Sequence, residues 1–212
     1  MDVLLLGASG RIGQRTATEL LDRGHAVTGV SRSGTVDDID DDEFVAVAGD
    51  ATDPDDVAKL ATGHDAVVST LGPSGDAAPD ILTDMIEAVI EGLRRADVDR
   101  LVWTGGAGGL KVGPETLLIE TEEFPEEWEP VARVAIEAYD ILSEADDLAW
   151  TYVAPAALIE PGERTGEYRT ADRELVADEE GDSYISMEDF AVALVDELES
   201  ENAVHTYLGT GY

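Results

Sequence analysis

Short apolar runs and amphipathic stretches alternate along this chain from its first residues. Asp2–Leu6 is apolar beyond its first residue, and a Gly-rich turn leads from it into a helical period over Arg11–Arg23 that Gly24 ends. Ala26–Val30, Phe44–Ala48 and Ala66–Thr70 repeat the strand signal. Between them lie an acidic loop, Ser33–Glu43, and a short helix, Pro54–Ala61, opened by Asp53 and closed by Gly63. A long helix follows at Ile81–Arg95, a fifth strand at Arg100–Thr104, a helix at Val131–Ala145 and a sixth strand at Ala149–Val153. A Gly- and Pro-punctuated stretch then precedes a helix at Met187–Glu199 and a last strand at Val204–Leu208. Strands alternating with helices predict an α/β fold, a doubly wound parallel sheet covered on both faces. No repeat or linker divides the chain. Residues 1–212 therefore read as one domain, with 154–186 as a small elaboration on the C-terminal edge of the sheet, where open α/β sheets place their ligands.

Composition narrows the function classes. The 212 residues carry 48 Asp and Glu against 13 Lys and Arg, a formal net charge of -35, and only two of the cations, Lys59 and Lys111, are lysines. The acids run from Asp2 to Glu201 rather than gathering in a tail. Such a surface repels nucleic acid and anionic membranes, both of which need a basic patch. Spread acid with almost no lysine resembles the proteins of salt-accumulating halophiles, where salt screens the self-repulsion. With no cysteine there is no disulfide framework or thiolate chemistry, and His25, His64 and His205 lack metal-ligand spacing. The N-terminus has no basic flank and too short an apolar run for a signal peptide, and nothing later approaches a membrane span. The expectation is a cytoplasmic chain with a small-molecule ligand and no bound metal.

The strongest motif is Gly7-Ala8-Ser9-Gly10-Arg11-Ile12-Gly13, straight after the first strand and opening the first helix. Gly7 permits a tight turn, Gly10 lets backbone approach a pyrophosphate, and Gly13 lets helix and strand pack closely. The helix N-terminus then offers N–H groups to phosphate. No Gly-Lys-Ser/Thr follows, so this is not a Walker-type loop. The Gly-x-x-Gly-x-x-Gly spacing with Ser9 inside it resembles the short-chain dehydrogenase/reductase superfamily and implies a Rossmann-fold NAD(P)-binding domain. The second strand ends in Ser31-Arg32-Ser33 rather than an acid. An Arg there suits a 2′-phosphate, which favours NADP(H) over NAD(H). The resemblance further places Asp50 and Ala51 beside the adenine, and Thr70, Leu71 and Gly72 beside the nicotinamide ribose. Thr104, Gly105 and Pro155 complete the cofactor-side wall.

The superfamily's Tyr-x-x-x-Lys acid pair is absent. Tyr139 is followed four residues on by Ser143, and neither lysine lies in that helix. Tyr139 therefore reads as packing, and Thr104, at the end of the fifth strand, is the candidate catalytic residue. The C-terminal half carries Pro161-Gly162-Glu163-Arg164-Thr165-Gly166-Glu167-Tyr168-Arg169 and Ile185-Ser186-Met187-Glu188-Asp189-Phe190-Ala191. With the glycine loop, these segments resemble the atypical short-chain reductases of NADH-flavin reductase type, relatives of biliverdin reductase B. That resemblance implies an NADPH-dependent reductase passing hydride to a flavin, quinone or similar flat acceptor, with flavin as substrate rather than bound cofactor. The other implied class is a non-catalytic NADP(H)-sensing regulator of NmrA type. Arg164, Tyr168 and Arg169 either shape the acceptor's entrance or form salt bridges to neighbouring acids, and Glu188-Asp189 after Ser186 reads as a helix cap.

Overall fold

A computed structural model describes residues 1–73 and 78–212. In chain order it comprises β1 (Asp2–Leu6), α1 (Arg11–Asp22), β2 (Ala26–Ser31), β3 (Phe44–Ala48), α2 (Pro54–Ala61), β4 (Ala66–Ser69), α3 (Ile81–Ala96) and β5 (Arg100–Thr104). There follow α4 (Glu129–Ser143), β6 (Ala149–Ala154), β7 (Leu158–Glu160), β8 (Arg169–Asp172), β9 (Tyr184–Ser186), α5 (Met187–Ser200) and β10 (Thr206–Gly211). The main sheet runs β3-β2-β1-β4-β5-β6-β10-β8, parallel throughout except for β8 against β10. This is the expected Rossmann-type doubly wound sheet. Its strand order reverses between β1 and β4, where the crevice of such sheets opens.

The central strands β1 and β4 are buried on both faces, which is why each reads as a nearly continuous apolar run rather than an alternating one. Along β1, Leu4 and Leu6 face a core shared with Val57 of α2, Val89 of α3 and Leu142 of α4. Val3 and Leu5 face the opposite core, with Leu20 of α1 and Phe190 and Leu194 of α5. The helices divide accordingly, α2, α3 and α4 on one side and α1 and α5 on the other. Asp53 opens α2 as expected, its carboxylate accepting from the Asp55 backbone at 2.9 Å.

Most element ends fall within a residue of the sequence reading, and two elements differ by more. Helix α4 starts at Glu129, because Pro130 fits the first turn, where its missing N–H costs nothing. The last strand starts at Thr206 rather than Val204: His205 takes a left-handed turn at φ 58°, and pairing with β8 carries the strand on to Gly211. The elaboration is also more than an appendage. β8 forms the sheet's edge, and β7 and β9 make a separate parallel pair.

The elaboration is tied down by charge. Arg164 makes a two-pronged pair with buried Glu19 of α1 at 2.7 and 2.8 Å. Tyr168 donates to Asp196 at 2.5 Å, and Arg169 donates to the carbonyls of Ala177 and Tyr212. Arg164 thus takes the salt-bridge reading, Tyr168 and Arg169 are held by hydrogen bonds, and none of the three lines the clefts described below. Asp189 does more than cap α5. While Ser186 accepts from the Asp189 backbone at 3.0 Å, the fully buried Asp189 carboxylate accepts from Thr165 and Gly166 N–H groups and from the hydroxyls of Thr165 and Tyr212. Burial pushes this carboxyl up, but those bonds outweigh it and leave it below the ordinary range. Asp189→Asn sets an amide donor against these donors and should cost about 1–3 kcal/mol. Denaturant unfolding should show that loss, with faster amide exchange concentrated at Thr165 and Gly166.

Candidate functional site

The glycine loop is fixed by its neighbours. Val30 O accepts from Gly7 N at 3.1 Å and Ala8 N at 3.0 Å, while the Thr70 hydroxyl donates to Leu6 O at 3.0 Å and Gly7 O at 3.2 Å. Gly7 sits at φ +82°, and a Cβ there would stand 2.9 Å from Thr70 O, so only glycine fits. A Cβ on Gly13 would meet Gly7 O at 2.2 Å, which is the helix–strand contact expected of the third glycine. Gly10 is different: its Cβ would meet only Gly7 O, at 3.2 Å, within 4 Å. Its Cα side opens onto a cleft.

That cleft, of about 490 Å³, is lined by Gly7, Ser9, Gly10, Ser31, Arg32, Asp50, Ala51, Thr70, Leu71 and Gly72, all expected site residues. Helix α1 starts beside it with no side-chain cap, and the first bond to its N-cap carbonyl is Gln14 N to Gly10 O at 2.9 Å. The first-turn N–H groups of Arg11, Ile12 and Gly13 therefore lack carbonyl partners within the helix. A glycine-lined cleft against an uncapped helix N-terminus fits the pyrophosphate of a dinucleotide. Leu6, Val30, Gly49, Thr52, Ile81 and Met85 complete the lining; Gly49 and Thr52 belong to the turn after the third strand that the sequence already offers to this site. Ile81 and Met85, four apart at the start of α3, were legible as one helical face.

Several side chains serve the site's shape. Ser31 Oγ donates to Thr35 O at 2.9 Å and accepts from Thr35 N at 3.1 Å, ordering the loop that carries Arg32. The Thr52 hydroxyl and backbone N–H donate to Asp50 at 2.7 and 2.9 Å, holding its carboxyl below the ordinary range. Asp50 is thereby a turn-former as well as a lining residue. Ile12 packs against the core beneath α1 and does not line the cleft.

A second cleft, of about 750 Å³, begins at Arg11 and is walled by Gly106, Leu118, Phe124, Pro125, Trp128 and Pro155, among others. Pro155 and Arg11 thus belong to this cleft rather than the first. Its wall over residues 118–132, in the β5–α4 connection, escaped the sequence reading. Thr104 ends β5 and lines neither cleft; its buried hydroxyl has no hydrogen-bond partner among the described residues. Tyr139 packs edge-on against Trp150 and Tyr152 and lies 4.7 Å from the Tyr207 ring, in agreement with the packing expectation. Asp178, Glu180 and Asp182 gather on an exposed turn outside both clefts, where Asp178 accepts from the other two backbones.

Gly105 lines neither cleft, and its assignment to the cofactor wall is corrected to packing. A Cβ there would stand 2.0 Å from the Tyr152 ring, which is fully buried and donates to Ala135 O at 2.7 Å. Gly105→Ala should lose about 1–3 kcal/mol through overpacking, read as a lower urea midpoint.

The fold and this glycine-lined crevice define a dinucleotide-binding α/β protein. The chain belongs to the NAD(P)H-binding family, whose pattern matches residues 7–201. It is 35% identical over 205 residues to the uncharacterised protein YwnB of Bacillus subtilis (strain 168), spanning 94% of this chain and 92% of that one. Among solved structures, a Burkholderia pseudomallei protein provisionally named an exported protein superposes with a TM-score of 0.91 at 41% identity, covering 100% of both chains. A Streptococcus pneumoniae protein provisionally named an NADH-flavin reductase gives 0.87 at 30% identity, covering 100% of this chain and 99% of that one. Among the described residues no helix is long and apolar enough to cross a membrane.

Proposed function

We propose that this single-domain protein is an NADP(H)-dependent oxidoreductase that passes hydride to a flavin, quinone or similar flat acceptor used as substrate. The observation that carries this reading is a pair of clefts on either side of the glycine loop, one lined by Gly7, Ser9 and Gly10, the other beginning at Arg11 and walled by aromatic and proline side chains. The cofactor, when bound, supplies the hydride. The chain's own part is to bind and orient. Ser9, Gly10 and the N–H groups of Arg11, Ile12 and Gly13 hold the pyrophosphate, and Arg32 meets the 2′-phosphate that separates NADP(H) from NAD(H). Asp50 and Ala51 flank the adenine, and Thr70, Leu71 and Gly72 lead toward the second cleft. Thr104 offers its unpartnered hydroxyl between β4 and β6 as a positioning hydrogen bond. The similarity to a protein provisionally named an NADH-flavin reductase supports the same class, and the resemblance to the biliverdin reductase B-like reductases is in keeping with it. The acidic surface suits a salt-rich cytoplasm, with no nucleic acid or membrane as partner.

A regulator of NmrA type, sensing NADP(H) without turnover, would use the first cleft alike. The apolar second cleft favours the enzyme, since a sensor needs no second small-molecule site. Steady-state NADPH oxidation in molar KCl, across flavins and quinones, separates the two. Tight NADPH binding with no acceptor-dependent oxidation by any of the panel would establish the sensor. For the enzyme, Thr104→Ala should slow turnover about 10–100-fold, as expected for lost positioning rather than a lost acid.

Binding has its own test. Titration of the parent should show NADPH held more tightly than NADH. Gly10→Val places a branched side chain in the open cleft while meeting little of the fold, so NADPH affinity should fall at least about 100-fold with the thermal midpoint nearly retained. Unchanged affinity would remove the glycine loop from the site.

A further inference from the structure

The second cleft is apolar in its depth and acidic at its walls. Glu123 and Glu160 line it from two separate segments, and Arg11 is the one cation in its lining, at the end nearest the glycine loop. Behind Glu123 the same connection carries Glu120, Glu122, Glu126, Glu127 and Glu129. Glu129 is paired with Arg133 at 2.9 Å, and Glu120 accepts from the Leu117 backbone at 2.8 Å. Glu122, Glu123, Glu126 and Glu127 are exposed, with no salt bridge among the described residues. The start of α4, which borders the cleft at Trp128 and Val131, would ordinarily favour an anion. Here Glu129 stands in its first turn and Pro130 removes an N–H.

The two clefts therefore differ in the charge they accept. The first has an uncapped helix N-terminus and Arg32 for phosphate. The first cleft sets one lining carboxylate, Asp50, against these, whereas the second sets two, Glu123 and Glu160, against Arg11 alone, the first residue of the helix that faces the cofactor's pyrophosphate in the proposed function. We infer that the acceptor cleft selects uncharged ring acceptors and rejects phosphorylated ones. On this basis a free isoalloxazine such as riboflavin, or a neutral quinone, is taken in preference to FMN or FAD. Like-charge juxtaposition in a partly desolvated site discriminates against the wrong ligand by kcal/mol amounts. The inference rests on the reading of this cleft as the acceptor site.

Riboflavin and FMN share one ring system and differ by a phosphate, so they isolate the charge. Trp128, half-exposed in the cleft, reports occupancy by fluorescence, since Trp103 and Trp150 are buried. Titration of the full chain without NADPH, at 0.5 M-class and multimolar KCl, should show riboflavin binding at least about tenfold more tightly than FMN, with the gap narrowing as salt rises. Glu123→Gln combined with Glu160→Gln, both at exposed positions, should raise FMN affinity and narrow the gap at the lower salt. FMN binding equal to or tighter than riboflavin, or a gap unmoved by the double substitution, would overturn the charge selection while leaving the reductase reading intact. Binding of neither flavin nor a neutral quinone would overturn both.

Discussion

Two backbones meet at the end of β1 with no side chain between them. A Cβ on Gly13 would lie 2.2 Å from Gly7 O, so α1 can descend onto the strand only because both positions are bare. The rest of the crevice depends on that approach. It brings the uncapped start of α1 to the point where β1 parts from β4, and it fixes the turn through Val30 on one side and Thr70 on the other. Three neighbouring strand ends and one helix are therefore set by a single close contact, and a side chain at either glycine would displace them together. The cleft's shape is a property of the sheet rather than of a mobile loop.

A net charge of -35 makes the placement of each cation consequential. Arg23 binds Glu19, Asp196 and Glu199, Arg164 closes on Glu19 from the elaboration, and Arg15 pairs with Glu188 at 2.6 Å. Burial alone would lower the Arg23 pKa, but its three acidic partners raise it, while the hydrogen bond from Arg164, foremost, holds Glu19 below the ordinary carboxylate range. Isolated surface pairs contribute little, yet Arg23 and Arg164 share Glu19 and so join α1, α5 and the elaboration into one network. Arg32 in the first cleft and Arg11 in the second are the arginines left lining the two clefts.

The sheet was legible because strands buried on both faces must be apolar, as β1, β4 and β5 are. The glycine loop was legible because its spacing encodes a steric requirement. Strands as short as β7 and β9 carry no pattern of their own and exist through pairing with each other. The wall of the second cleft was hidden for a different reason. Phe124, Trp128 and Val131 stand four and three apart, a helical spacing, but Pro125 and six glutamates between 120 and 129 made the stretch look like a solvated loop. Gly105 misled because a glycine near a cofactor site has two explanations, ligand approach and packing, and only the position of the Tyr152 ring decides between them. Arg164 and Tyr168 were ambiguous for as long as their acidic partners, distant in sequence, were unknown.

The missing Tyr-x-x-x-Lys pair also acquires meaning from where the tyrosines are. Tyr139, Tyr152 and Tyr207 pack against one another, with Arg173 over the rings of Tyr139 and Tyr207. Burial, foremost, pushes the hydroxyls of Tyr152 and Tyr207 up, so they keep their protons, and both donate to backbone carbonyls, of Ala135 and Gly106. A phenol held in this way supports the wall of the second cleft and is not poised to release a proton into it. Under the proposed function, proton balance then falls to the acceptor and solvent, and the chain contributes through position. The two clefts need only share a boundary for that, and the glycine loop, rigid for steric reasons at one end and opening α1 at the other, is the boundary they share.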